Sequence, residues 1–263
     1  MSSTVDGASD AASAGWRLWA RVEYDGTDFY GFQIQARERT VQGELERALH
    51  EITGRDTRVA GAGRTDRGVH ASGQVVGFEV RWKHGLGEMQ RALNAVLSPD
   101  VSILELGRAT EGFHPRFSAR GRSYRYTLLE QSWRSPLARR TAWHMVPGLD
   151  MGQMVQASRC LLGTHDFKTF GRPPQGENTV RTVYRADWQE QQPVLTFDIK
   201  ANAFLYRMVR SIVGTLVLVG SRQITVQEFE TILQTRDRGQ VKQVAPPHGL
   251  SLTSVDYPEG VLE

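Results

Sequence analysis

The densest set of side chains that could do chemistry lies at residues 60–71, which read AGAGRTDRGVHA. Three glycines within eight residues exclude a regular helix and let the backbone approach a ligand closely. Two arginines and Asp66 lie among them, and His70 follows. A carboxylate in such a loop can act as a nucleophile or take a proton. The stretch matches neither a phosphate loop nor a dinucleotide fingerprint. The alternative is a turn in which Asp66 caps the backbone or pairs with a neighbouring arginine.

Arginine is the second chemical signal. Only four of the 32 basic residues are lysines, and eight of the 28 arginines fall between Arg108 and Arg140 beside only two acids. Aromatic residues are interleaved with them. Guanidinium groups bind phosphates bidentately and stack on bases, so this stretch predicts a nucleic-acid surface, the alternative being a solvated face. Four of its arginines are predicted to contribute phosphate contacts, although alternation along a strand will direct some of them elsewhere: Arg116, Arg120, Arg122 and Arg125.

Strands and helices must position these residues, and the first half of the chain alternates between the two. Residues 16–24 alternate apolar and other side chains, which predicts a strand. A helix follows from about Val41, with Thr40 as its N-cap and Gly54 at its C-terminal end. The remaining elements of this half are a strand, a helix and a strand, at residues 74–80, 88–97 and 101–106.

The second half repeats this order without repeating the sequence. Its predicted strands lie at residues 123–129, 179–188, 194–201 and 249–255. Its predicted helices lie at residues 151–162, 204–219 and 226–233, and the second of these has the strongest helical periodicity. The order of elements predicts an α/β sandwich of sheet and helices. A boundary near residues 113–116 is compatible with a linker or with a hinge inside one continuous sheet.

The composition excludes several classes of protein. No apolar run reaches the ~18–20 residues that span a bilayer. Residues 1–15 lack the basic start and apolar core of a secretory signal and are predicted to form a disordered tail. The single cysteine, Cys160, rules out an intramolecular disulfide and a multi-cysteine metal site. The seven histidines show no metal-ligand spacing, so no metal is expected. We therefore expect a cytoplasmic protein that does not contact a membrane.

The residues around Asp66, GRTDRGVHA at 63–71, resemble the active-site motif of the TruA-type pseudouridine synthases. Further segments match that family in the same order along the chain. They are YDGT at 24–27, GFQ at 31–33, TVQG at 40–43, FHPRFSA at 113–119, YRY at 124–126, HDF at 165–167, FLYRMVR at 204–210 and GLSL at 249–252. The resemblance covers roughly residues 16–258 and leaves out the N-terminal tail.

The resemblance implies a role for five residues of this chain. Asp66 falls on the catalytic aspartate, and Arg64 falls on an arginine that contacts the flipped nucleotide and its backbone. Tyr124 falls on the tyrosine that stacks on the target base. Arg210 falls on the arginine that pairs with the catalytic carboxylate, and Leu250 falls on an apolar residue that lines the uracil pocket.

The resemblance also implies the fold, the substrate and the partners. The fold would be the pseudouridine-synthase fold, in which two ferredoxin-like α/β halves share an extended mixed sheet with a central cleft. The first half would be residues 16–112, with the catalytic loop, and the second residues 113–263, with the base-stacking tyrosine and the pocket arginine. The substrate would be uridine at positions 38, 39 and 40 of tRNA, in the anticodon stem-loop. The enzyme would be a homodimer without a cofactor.

The implied reaction breaks the N1–C1′ bond of uridine, turns the uracil and joins its C5 to C1′, so it needs no redox cofactor or group donor. One aspartate can serve as nucleophile or base, after the nucleobase has left its stack. Two other interpretations stay open. The first is a non-catalytic RNA-binding module, which gives the Asp66 loop no role. The second is an aspartate-dependent hydrolase with His70 or His165 as the partner.

Overall fold

A computed structural model describes residues 15–262 of the chain, so the predicted disordered tail lies outside the described residues except for Gly15. The strands are β1 (Trp16–Tyr24), β2 (Ala60–Gly61), β3 (His70–Val80), β4 (Val101–Arg108), β5 (Gly121–Glu130), β6 (Trp143–Met145), β7 (Gly163–Asp166), β8 (Val180–Gln191), β9 (Val194–Ala201) and β10 (Leu250–Asp256). The helices are α1 (Val41–Thr53), α2 (Leu86–Val96), α3 (Met151–Arg159), α4 (Met208–Gly220) and α5 (Val226–Thr235).

Each half of the chain contains a βαββαβ unit. In the first half the strands lie in the order β4, β1, β3, β2, and every neighbouring pair is antiparallel. In the second half the equivalent strands lie in the order β10, β5, β9, β8, again antiparallel. Both orders are the ferredoxin-like arrangement, and one continuous sheet contains them. The predicted fold of two ferredoxin-like halves that share a mixed sheet is therefore confirmed. The division at residue 112 stays a prediction.

The two halves meet where β10 pairs with β3. Strand β2 has two residues and pairs only with the far part of β3, so the near part of that edge is left for β10. There Ser251 and Leu252 pair in parallel with His70 and Ala71. The connection between β2 and β3, residues 62–69, is therefore held directly beside the junction of the halves. This connection contains the glycine-rich loop with Asp66.

One hydrophobic core extends under both halves of the sheet. Helix α4 lies at its centre, and every residue of α4 except Arg210 is buried. A helix that is apolar on all sides needs cover from every direction. Helices α3 and α5 pack against α4, and Gly214 lets the backbone at Gln243 and Ala245 approach it closely. Among residues 15–262 we find no helix with the length and apolar character that crossing a membrane requires.

Several predicted element ends are confirmed. Thr40 accepts a hydrogen bond from the Gly43 amide at the start of α1, and Gly54 ends this helix in the left-handed region with φ 69°.

Other element ends differ from the prediction. Helix α4 begins at Met208 rather than at residue 204, because Arg207 has φ 63° and interrupts the helix. Strand β3 begins at His70, four residues before its predicted start. The short strands β2, β6 and β7 have no counterpart among the predictions, because so few residues show no periodicity.

Gly73 allows the close contact of β3 with β10, and this predicts the effect of a side chain there. A Cβ atom at Gly73 would overlap the Thr253 carbonyl group, so Gly73→Ala should push β10 away and destabilise the protein by roughly 1–3 kcal/mol. Gly87→Ala in α2 is the matched control, since the nearest atom to its Cβ is a side-chain nitrogen 3.7 Å away. Urea unfolding measures both variants. Equal midpoints for Gly73→Ala and the wild type would contradict this description of the junction.

Candidate active site

A cavity of about 910 Å³ opens at the junction of the two halves. Its walls come from the β2–β3 loop, from residues around His114, from strand β5, and from the segments that precede α4 and begin β10. All five site residues predicted from the resemblance line it. Asp66 is the one acidic residue among the described residues of the lining. Eight arginines accompany it: Arg64, Arg67, Arg116, Arg122, Arg172, Arg181, Arg207 and Arg210.

Asp66 is paired with Arg210 across the junction. Nη1 of Arg210 donates to Oδ2 of Asp66 at 3.0 Å, and the two side chains are 12% and 17% exposed, in that order. Nε of Arg210 donates to the Ala245 carbonyl oxygen at 2.8 Å, which fixes the orientation of the guanidinium group. Removing a charge from water is costly unless an opposite charge and hydrogen bonds compensate it. The pair therefore keeps a carboxylate in a largely enclosed position.

Contacts from β1, from β3 and from the turn that follows β1 hold the backbone around Asp66 in place. The Tyr24 and Thr65 hydroxyl groups are 2.8 Å apart, and Nε2 of Gln74 donates to the Gly63 carbonyl oxygen at 2.8 Å. The Phe32 amide donates to the Thr65 carbonyl oxygen at 3.1 Å. Gly31 has φ 95°, and a Cβ atom there would lie 2.7 Å from that oxygen. Only glycine permits this contact without strain.

His70 supports the other end of the loop and does not line the cavity. Its Nδ1 accepts a hydrogen bond from the Gly26 amide at 3.0 Å. Nε2 lies 2.8 Å from the Arg140 carbonyl oxygen and 3.1 Å from that of His248. Oδ1 of Asp25 lies 3.1 Å from the same Nδ1, so the ring joins the turn after β1 to the segments around Arg140 and His248. These contacts give His70 a structural role. Among the described residues, no group of three or more histidine, cysteine, aspartate or glutamate side chains could hold a metal ion.

Tyr124 and Leu250 form the apolar side of the site. Tyr124 is 8% exposed, and its ring contacts that of Phe204 edge to face with centroids 5.0 Å apart. Burial, followed by the nearby charges of Tyr24 and Asp66, raises the pKa of the Tyr124 hydroxyl. None of the described residues forms a hydrogen bond with that hydroxyl group. Leu250 is the first residue of β10 and is 6% exposed. Strand β10 pairs with β5, the strand that contains Tyr124.

The four arginines predicted to contact phosphates have different surroundings. Arg116 lines the cavity, and Arg120 does not. Arg125 points to the opposite face of β5 from Tyr124 and forms an ion pair with Asp198, with Nε 2.8 Å from Oδ1. Arg125 is therefore placed away from the cavity, which corrects the prediction for this residue.

Arg122 also differs from its prediction. Its guanidinium is buried and donates to four backbone carbonyl groups, at 2.6–3.4 Å, which belong to Ala62, Arg116, Ala119 and Asn202. Burial lowers its pKa. These carbonyl groups, rather than phosphates, occupy its donors. Sequence patterns gave no signal for this role, since the four acceptors come from separate parts of the chain.

Comparison with known proteins adds the family. A family model described as tRNA pseudouridine synthase matches residues 20–118 and 157–258. The chain belongs to this family. The tRNA pseudouridine synthase A of Chloroflexus aurantiacus is 44% identical over 247 residues, which cover 92% of this chain and 88% of that protein. The protein with the same name from Neisseria meningitidis serogroup C is 42% identical over 244 residues, or 92% of both chains. This family member is thus an isomerase that forms pseudouridine in tRNA.

Solved structures are more distant. A Cbf5–Nop10–Gar1 complex contains a chain that is 12% identical to this one, with a TM-score of 0.37. The match covers 90% of this chain and 58% of that chain.

The contacts that support the Asp66 loop predict a pH effect on stability. Burial raises the pKa of Tyr24 from 10.0 to about 12, although hydrogen bonds with Thr65 and Gln74 act in the opposite direction. Between pH 10 and pH 12 the unfolded tyrosine ionises while the folded one stays neutral. The free energy of unfolding should therefore fall by about 1.4 kcal/mol per pH unit through this residue. Below pH 10 the contribution is fully present.

Urea unfolding of the wild type and Tyr24→Phe across pH 9 to 12 measures this contribution. Tyr24→Phe should be less stable at pH 9, by about 1–3 kcal/mol, because Thr65 and Gln74 lose a partner. The difference should shrink above pH 10. Tyr184→Phe, at a tyrosine that is 53% exposed, serves as the control. A difference that stays constant over this range would contradict the burial of Tyr24.

Proposed function

We propose that this enzyme converts uridine to pseudouridine at positions 38, 39 and 40 of tRNA, with Asp66 as its catalytic carboxylate. The observation that carries the proposal is a cavity whose described lining holds one carboxylate and eight arginines, six of them besides Arg122 and Arg210, which bind other groups of the protein. The arginines suit a polyanionic strand, and the carboxylate has a fixed position within them. The matched family supplies the reaction, and the resemblance of the loop motif supplies the three tRNA positions.

The chemistry requires one carboxylate and no added group. An aspartate can attack uridine at C6 or C1′, or remove a proton at C2′, and each route uses the same side chain. The N1–C1′ bond breaks, C5 joins C1′, and the proton on C5 leaves. Arg210 keeps Asp66 oriented in the cavity through the 3.0 Å contact between their side chains. N1 takes up a proton in place of the one lost from C5, so the product is an isomer of uridine and the step requires no electron carrier or group donor.

The remaining site residues would bind the flipped nucleotide. The Tyr124 ring would stack on the target uracil, and Leu250 would line the pocket for that base. Base stacking on an aromatic side chain contributes roughly 1–3 kcal/mol, which offsets part of the cost of leaving the RNA stack. Arg64 is exposed and forms no ion pair with any described residue, so its guanidinium is available for the nucleotide and its backbone.

We also propose that the enzyme is a cytoplasmic homodimer that binds one tRNA across both subunits. The resemblance to the TruA-type enzymes supports this, and so do the exposed apolar side chains of Trp133 (83% exposed) and Leu137 (96% exposed) in the connection between β5 and β6. Sedimentation at micromolar concentration tests the dimer, which should have twice the mass of 29.5 kDa. A monomer that modifies tRNA at that concentration would contradict the proposal.

Asp66→Asn tests the catalytic assignment. Asparagine has nearly the same shape as aspartate but is a far poorer nucleophile and base. The variant should fold, bind an anticodon stem-loop RNA with near wild-type affinity and form no detectable pseudouridine. Release of the C5 hydrogen, assayed on stem-loops with one uridine at position 38, 39 or 40, measures turnover at each position. Asp187→Asn is the control, since this exposed carboxylate pairs with Arg185 and is outside the cavity lining.

The two assays separate the parts of the proposal. Pseudouridine formation by Asp66→Asn at a wild-type rate would refute the catalytic role of the aspartate. A wild-type enzyme that modifies tRNA but none of the three stem-loops would refute the positions and leave the catalytic role intact.

Tyr124 variants test the stacking role. Tyr124→Phe keeps the ring and should keep the RNA affinity, whereas Tyr124→Ala should weaken binding by roughly 1–3 kcal/mol. Filter binding and single-turnover rates measure the two effects separately. Slow turnover with normal affinity in Tyr124→Phe would assign proton removal to the hydroxyl group. Normal binding and normal turnover in both variants would exclude Tyr124 from the site.

A further inference from the structure

Two arginines near the cavity have buried nitrogen atoms that no described residue satisfies. Nε of Arg181 and Nη1 of Arg238 are both enclosed and without a hydrogen-bond partner. Nη1 of Arg181 is satisfied separately by the carbonyl oxygens of Asn178 and Val180. Buried polar atoms in proteins are almost always paired, so these two donors indicate a place where an acceptor binds.

Backbone contacts hold two further arginines next to each other on the same wall of the cavity. The Tyr206 amide donates to the Arg172 carbonyl oxygen at 2.8 Å, and the two residues form an isolated β-bridge. Gly171 makes the contact possible, because a Cβ atom there would overlap Leu205 and lie 2.9 Å from the Tyr206 carbonyl oxygen. Arg172 and Arg207 are therefore brought to the cavity together.

Arg207 has a backbone conformation that its own side chain does not favour. Its φ of 63° lies in the left-handed region, and it occupies the N-cap position of α4 without forming a side-chain cap. Glycine suits this φ, and serine, threonine, aspartate or asparagine suits an N-cap. Such strain is typical of positions that serve binding or catalysis. The Arg207 guanidinium lies 5.1 Å from the centroid of the Tyr206 ring.

Among the described residues, no carboxylate forms an ion pair with Arg172, Arg181, Arg207 or Arg238. The charges of Arg172 and Arg207, together with the larger effect of burial, lower the pKa of Arg238, so the three groups are near one another. Asp237 is occupied by the Gly239 amide and the Gln240 side chain, and Asp166 pairs with Arg236. Asp66 is already paired with Arg210. Like charges gathered without a counter-ion favour an anionic ligand.

We propose that Arg172, Arg181, Arg207 and Arg238 form a phosphate clamp that binds one phosphodiester group of the RNA strand beside the target nucleotide. The proposal rests on the proposed function and extends it to a second contact, around the bridge between Arg172 and Tyr206. Guanidinium groups hold phosphates bidentately, so the clamp fixes the register of the strand as well as adding affinity. The uridine that enters the cavity is then set by its distance from this phosphate.

The experiment pairs neutral RNA linkages with protein variants. Anticodon stem-loops carry one methylphosphonate linkage each, at successive positions around the target uridine, and Kd is measured by filter binding. Arg238→Gln and Arg207→Gly remove clamp donors. Arg207→Gly also relieves the positive φ, so its unfolding midpoint in urea should equal or exceed that of the wild type. Arg222→Gly is the matched control, because Arg222 has φ 57° and pairs with Asp150 outside the cavity lining.

For the wild type, one linkage should weaken binding by about tenfold when it is neutral, since a charge-assisted hydrogen bond is lost. Arg238→Gln and Arg207→Gly should bind unmodified RNA about tenfold more weakly and lose nothing further at that linkage. Arg222→Gly should keep the wild-type affinity and sensitivity. If neutralising each linkage weakens the binding of both clamp variants as much as it weakens that of the wild type, the clamp proposal is overturned. A wild-type protein that forms no pseudouridine in these stem-loops would instead refute the proposed function.

Discussion

The ion pair between Asp66 and Arg210 is the interaction on which the arrangement of the site depends. It joins a loop of the first half to a helix of the second, and both side chains are largely enclosed. A carboxylate in such a place needs a cation at a fixed position, because burial without compensation is unfavourable. Arg210 meets this need as the one residue of α4 that is only partly buried, so that its guanidinium reaches the cavity. The helix is anchored by its apolar sides, so the guanidinium at its start cannot move far from the junction.

The topology explains why the carboxylate and its partner meet at this point. Because β2 has two residues, the edge of β3 accepts β10 from the other half, and the β2–β3 loop remains at the boundary between them. The loop is then held by the first strand through Tyr24 and Thr65, and by the buried Arg122 through the Ala62 carbonyl group. The Asp66 side chain is thus fixed by elements of both halves, and the catalytic role that we propose for it requires such a fixed position.

The sequence contained enough information to predict the site residues that meet in the cavity and most of the helices. Local signals sufficed for α1, where the Thr40 cap and Gly54 are readable without tertiary contacts. The Asp66 loop stands out because its glycines, arginines and carboxylate are contiguous, but the roles of the five site residues follow from the resemblance to the family and not from their spacing. Arg122 and Arg125 were less predictable, since alternation along β5 gives the face of a side chain but not its partner there. Arg207 shows a further limit, because its positive φ directly follows Tyr206, whose bridge to Arg172 is a tertiary contact that a helical pattern does not reveal.

A double-mutant cycle on the ion pair tests the central claim of this account most directly. The free energy of unfolding in urea is measured for the wild type, Asp66→Asn, Arg210→Gln and the double variant at neutral pH. If the pair joins the two halves at the site, the two substitutions should be non-additive, with a favourable coupling energy of about 1 kcal/mol or more. Additivity within about 0.3–0.5 kcal/mol would contradict the claim, because it would mean that the two side chains act independently.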